Sequence, residues 1–133
     1  MRGIALILIL AALATGSCAT TPAPPNPAAQ ARLQQLIAGK VAGQPLNCLQ
    51  TYRSNDMIAI DDDTLVFRDG GRVYVNRLRH GCPHLTNASY TLVTRQFGGV
   101  GLCSGDIAQV ADLTTGMTVG SCVIGDFVPY TRP

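Results

Sequence analysis

Residues 64–78 read TLVFRDGGRVYVNRL, and this stretch decides the fold class. Leu65 and Phe67 alternate with Val66 and Arg68, and Val73 and Val75 alternate with Tyr74 and Asn76. A period of two is the mark of a strand with one face turned to a core. Between the two runs sits Asp69-Gly70-Gly71, where glycine supplies the positive φ that a tight hairpin turn demands. The spacing predicts a β-hairpin over residues 64–78.

Working outward, residues 90–97 (YTLVTRQF) form a further strand pattern. Residues 107–113 and 119–124 form a second hairpin around Thr115-Gly116. No internal repeat is present. Short strands at this spacing, in a chain with 14 glycines, predict a mainly β domain: a small antiparallel sheet, sandwich or barrel. One helix precedes it. Asn26 followed by Pro27 is an N-cap with proline at the first helical position. Ala29, Leu33, Leu36 and Ile37 recur at helical spacing, and Gly39 offers a stop.

The start of the chain reads as an export signal. Arg2 is followed by an uncharged apolar run to Ala14, then by Thr15-Gly16-Ser17 and Cys18. A dozen or so apolar residues fall short of the roughly 20 that span a bilayer. Cleavage before Cys18 would leave its thiol to be acylated and anchored in a membrane. Thr15 stands where lipoprotein signals usually place Leu, so cleavage after Ala19, giving a soluble periplasmic protein, is the alternative. With Ala19 rather than Asp beside it, an acylated Cys18 leads to an outer-membrane lipoprotein facing the periplasm. Residues 19–29 (ATTPAPPNPAA) then make a semi-rigid spacer. The expected organisation is therefore signal peptide 1–17, tether 18–29, short amphipathic helix and connector 30–44, and β domain 45–133.

That compartment is oxidising, so Cys48, Cys82, Cys103 and Cys122 are expected to form two disulfides. Pairing of sequence neighbours, Cys48 with Cys82 and Cys103 with Cys122, closes the shortest loops and is the expected connectivity. No CxxC spacing exists for a thioredoxin-like centre or a zinc ribbon.

Charge excludes some functions. Beyond Arg2 the chain carries nine Lys and Arg against eight Asp, with no basic run, so nucleic acid is not an expected partner. Glu and Trp are absent. His80-Gly81-Cys82-Pro83-His84 offers two imidazoles and a sulfur, but a disulfide at Cys82 removes the thiolate and Pro83 forbids helical spacing of the histidines. Asp61-Asp62-Asp63 lacks the spacing, glycine and Glu of an EF-hand and reads as a solvated turn. Phe97-Gly98-Gly99-Val100-Gly101 lacks the Lys-Ser/Thr of a phosphate loop, and no G-x-S-x-G elbow occurs. No cofactor, metal or catalytic residue is expected. The expected contact surface is an exposed β face carrying Tyr74, with Arg68, Arg72 and Arg77 able to meet an anionic glycan or an envelope protein.

The order LVF (65–67), VYVNRL (73–78), Cys82-Pro83, Leu102-Cys103, Asp106-Ile107 and Cys122-Val-Ile-Gly-Asp-Phe127 resembles a family of small exported bacterial proteins, many of them candidate lipoproteins, classed as a domain of unknown function. The resemblance implies a shared fold and cysteine framework and brings no activity. The function expected from these readings is that of a non-enzymatic cell-envelope binding or structural module. The alternative is a periplasmic inhibitor of a secreted hydrolase. Size, compartment and disulfides are similar to those of lysozyme-inhibitor lipoproteins, whose Ser-Gly-x-x-Tyr loop this chain lacks.

Overall fold

The computed structural model describes residues 24–96, 99 and 101–133; the expected signal, Cys18 and the first half of the expected tether lie outside the described residues. Helix α1 (Pro27–Ile37) begins where the capping signal places it, with the Asn26 side chain accepting from the Ala28 amide at 3.0 Å. At its other end the Lys40 ammonium donates to the Leu36 carbonyl at 3.2 Å, and Gly39 takes a φ of 68°.

Ten strands follow among the described residues: β1 (Val41–Ala42), β2 (Cys48–Leu49), β3 (Met57–Asp61), β4 (Thr64–Asp69), β5 (Arg72–Arg77), β6 (Tyr90–Thr94), β7 (Leu102–Cys103), β8 (Ile107–Asp112), β9 (Thr118–Val123) and β10 (Phe127–Thr131). Both hairpins expected from the sequence are present. The β4–β5 pair turns through Gly70-Gly71, and the β8–β9 pair turns through residues 113–117. The antiparallel strands form a five-stranded sheet in the order β1-β10-β5-β4-β3, a three-stranded sheet β6-β8-β9, and the small pair β2-β7. The fold is mainly β with one helix, as the periodicity indicates.

Three layers result. Ala29 and Leu33 of α1 pack on Ile60, Val66, Val73 and Val75, which share one face of the five-stranded sheet. Leu65, Phe67, Tyr74 and Phe127 on the opposite face meet Ala108, Val110 and Cys122 of the three-stranded sheet, with Phe67 and Phe127 edge to face at 5.7 Å. Covering both faces explains why Thr64–Phe67 and Val73–Asn76 are buried without a break. The alternation marks which core each residue enters, not which residues see water.

Strand β10 returns from the end of the chain to lie between β1 and β5. Its Pro129 is tolerated there for a geometric reason. The Pro129 carbonyl accepts from the Gly43 amide at 2.7 Å, and a strand residue's nitrogen and carbonyl point to the same side. The missing N–H therefore faces the β1 side, and the ladder to β5 loses nothing.

The disulfides correct the expected connectivity. Cys48 pairs with Cys103 and Cys82 with Cys122, at Cα separations of 4.0 and 5.0 Å. Cys48 and Cys103 face each other directly across the β2–β7 ladder. Cys122 stands opposite Ala108 on β8, and its sulfur bonds Cys82 within the main core. Loop length is too weak to oppose this. The native spans of 55 and 40 residues are roughly twice the neighbour spans, a difference of about 0.6 kcal/mol each.

Candidate functional site

Tyr74, expected on an exposed face, is 1% exposed. Its strand parity turns it into the layer between the sheets, and its hydroxyl accepts from the Arg53 guanidinium at 3.4 Å. Nor do the three arginines make one patch. Arg68 and Arg77 share a face but sit at opposite ends of the β4–β5 ladder, while Arg72 projects with the parity of Tyr74. Arg68 is engaged by Asp56 at 2.9 Å, and Arg77 donates to the Thr64 hydroxyl at 2.6 Å. Cys18 lies outside the described residues.

The His80–His84 segment is built as a loop closure. Cys82 is spent in its disulfide, His80 and His84 hold φ of 67° and 66°, and the His84 ring lies 5.5 Å from that of Tyr90. Among the described residues no three His, Cys, Asp or Glu side chains gather as metal ligands.

Four aspartate side chains serve the backbone. Asp61 accepts from the Asp63 amide, Asp62 from Leu85, Asp106 from Cys103, and Asp112 from both Thr114 and Thr115. Asp56 and Asp69 face Arg68 and Arg53. The Asp61–Asp63 turn, expected as a turn before a strand, joins β3 to β4. It also anchors the next loop, since the Asp62 and Asp63 carbonyls accept from Cys82 and Leu78. The turn borders an open cleft of about 510 Å³ against the helix start, whose carboxylates remain at the surface rather than converging in a buried pocket.

In the glycine-rich stretch, residues 97, 98 and 100 lie outside the described residues. Gly101 has a steric role: at φ 119°, a Cβ there would strike the Leu49 carbonyl oxygen. It lets the chain cross β2 where Cys48 and Cys103 bond.

The surface that the sequence reading missed is the outer face of the three-stranded sheet. Ala108 and Val110 turn inward, so Ile107 and Gln109 turn outward, beside Val93 of β6. Ile107 is 62% exposed, although it is the largest apolar residue of its strand. Val93, Ile107 and Gln109 line a cleft of about 390 Å³ with Arg95 and Asp106. Residues 107–112 (IAQVAD) carry no signal that could have found it, because each parity holds one large aliphatic, Ile107 or Val110, and only the packing of the two sheets selects Ala108 and Val110 for the core. At the other end of the same sheet, the β8–β9 turn carries Leu113 and Met117, both exposed.

Asn76 was also unassigned. It is fully buried, and its amide donates to the Gly125 carbonyl at 2.7 Å and the Asp126 carbonyl at 3.3 Å while accepting from the Gly125 amide at 3.0 Å. It holds the β9–β10 connection to β5.

Two disulfides in the native fold suit an oxidising, extracytoplasmic compartment. No described helix is long and apolar enough to cross a membrane. Compared with protein families, curated proteins and solved structures, the chain matches none.

Proposed function

We propose that this chain is an exported envelope lipoprotein, anchored through Cys18, that works by surface contact rather than catalysis. The observation that carries the reading is the uncovered apolar cleft around Val93 and Ile107, rimmed by Arg95. A sheet that buries one face on a core and leaves large aliphatics on the other has a surface suited to a protein partner. Six of the eight aspartate carboxylates are engaged in turns and ion pairs, and the other two, Asp63 and Asp126, stand exposed on loops rather than in the buried pocket that acid–base work at neutral pH would need, which supports the non-enzymatic part of the reading.

Two experiments test it. Capture of envelope proteins from native membranes should enrich a defined partner, and Ile107→Asp should reduce its recovery about tenfold, as loss of a central apolar contact does. Undiminished recovery by that variant would remove the cleft from the account. So would turnover of an envelope substrate that disappears on replacing one aspartate. For the anchor, Cys18→Ser should move the protein from the membrane fraction to the soluble periplasm. Wild-type protein already soluble, with its first residue at Thr20, would defeat the anchor.

A further inference from the structure

The two most exposed large apolar side chains among the described residues are Met117 and Leu113, at 67% and 63%, and both belong to the β8–β9 turn. The amides of the turn are satisfied within the protein. Its Asp112 carboxylate accepts from Thr114 at 2.7 Å and Thr115 at 3.0 Å, the Gly116 amide donates to the Asp112 carbonyl at 2.8 Å, and the Met117 carbonyl accepts from the Asp112 amide at 2.9 Å. No amide of the turn needs water, while its outward carbonyls and the Asp112 carboxylate suit the hydrated headgroup level rather than the acyl interior. No charged residue occurs from Leu113 to Gly125.

The position of this turn matters as much as its composition. Pro24 and Pro25, where the tether enters the fold, line one cleft together with Thr86. The segment after Thr86 leads straight to the turn: the Tyr90 amide donates to the Asn87 carbonyl at 3.0 Å, and the Leu113 amide donates to the Ser89 carbonyl at 2.9 Å. The tether entry and the apolar turn therefore occupy the same end of the molecule. Cys18 precedes Pro24 by six residues, so whatever path the tether follows it cannot exceed about 20 Å.

We infer that the Leu113–Met117 turn is a membrane contact that inserts its two apolar side chains at the headgroup–acyl boundary beside the anchor. The inference rests on the anchored reading, because the short tether is what brings this end to the bilayer. It also orients the protein, since the Val93–Ile107 cleft lies at the opposite end of β8 and faces away from the membrane. The contact is apolar rather than electrostatic. Asp61, Asp62 and Asp63 outnumber Arg32 at the same end, so zwitterionic lipid is the favoured surface.

The chain has no tryptophan, so Met117→Trp installs a single indole that can be excited apart from the four tyrosines. Val41→Trp is the control: Val41 is 57% exposed on β1, beyond the Tyr130–Val73 pair and remote from the Asp61–Asp63 turn. The mature chain from Cys18 is coupled through that thiol, the one cysteine outside the disulfides, to a maleimide lipid in phosphatidylethanolamine–phosphatidylcholine vesicles with brominated acyl chains. Met117→Trp should lose about half its emission, shift to the blue and keep both changes in high salt, while Val41→Trp stays unchanged. Equal quenching at both positions, or none at Met117, overturns the membrane contact. Shielding of Met117→Trp by an envelope protein but not by lipid overturns it in favour of a protein partner. Leu113→Trp repeats the test should Met117→Trp fail to form both disulfides. Because coupling replaces acylation, the vesicle result stands apart from the anchor, which fails separately if protein from native membranes carries no acyl group on Cys18.

Discussion

Replacing Asn76 with Ala probes the polar hub that joins β5 to the β9–β10 connection. The substitution removes three hydrogen bonds, to the Gly125 carbonyl, the Asp126 carbonyl and the Gly125 amide. Gly125 is buried, and no side chain can be introduced there to compensate, because a Cβ on Gly125 would collide with the Arg77 carbonyl. Each stranded buried polar group costs about 1–3 kcal/mol. Two of the three lie at buried Gly125, so the loss should be about 3–5 kcal/mol. For a domain of this size that lowers Tm by about 10–20 °C, measured by circular dichroism on the oxidised protein. Asn76→Asp sharpens the test. It keeps the acceptor for the Gly125 amide but turns a second lone-pair oxygen toward two carbonyls, which disfavours the ionised form and raises its folded pKa above the ordinary value of about 3.9. A raised folded pKa gives stability that is present below the unfolded pKa and lost as pH rises through the folded value. The Asn76→Asp variant should therefore be most deficient at neutral pH and recover toward wild type as pH falls to about 4. A loss below about 1 kcal/mol for Asn76→Ala, or a pH-independent deficit for Asn76→Asp, would refute the hub.

Non-reduced peptide mapping should link Cys48 to Cys103 and Cys82 to Cys122. Removing either pair should cost about 4 kcal/mol on the loop-entropy model for spans of 55 and 40 residues; a link between Cys48 and Cys82 would contradict the β2–β7 pairing. Leu33→Ala should lower stability in urea by about 2–4 kcal/mol, because α1 has only 11 residues and depends on its contact with Val66 and Val75. An effect under about 0.5 kcal/mol would mean that the helix does not close the second core. Gly101→Ala should cost more than about 2 kcal/mol or prevent the Cys48–Cys103 bond, through its positive φ and the collision with Leu49; wild-type thermal stability with both disulfides formed would exclude that crossing.

Local chemistry made much of this fold readable from sequence. Asn26-Pro27 starts α1, Gly70-Gly71 turns the central hairpin, and Thr115-Gly116 turns the second, because caps and tight turns are set by residues within about four positions of one another. What sequence could not decide was which surfaces meet. Tyr74 reads as an outward residue when one sheet face is assumed wet, yet α1 covers one face and the β6-β8-β9 sheet covers the other. Cysteine pairing followed the same rule: loop entropy changes only with the logarithm of length, so strand register decided it. β10 came from the far end of the chain to fill the larger sheet beside β5, and only that closure brought Gly125 to Asn76. Turns and caps are short-range and written in adjacent residues; burial, disulfide partners and the exposed Val93–Ile107 cleft depend on contacts between segments far apart in sequence, which no single stretch encodes.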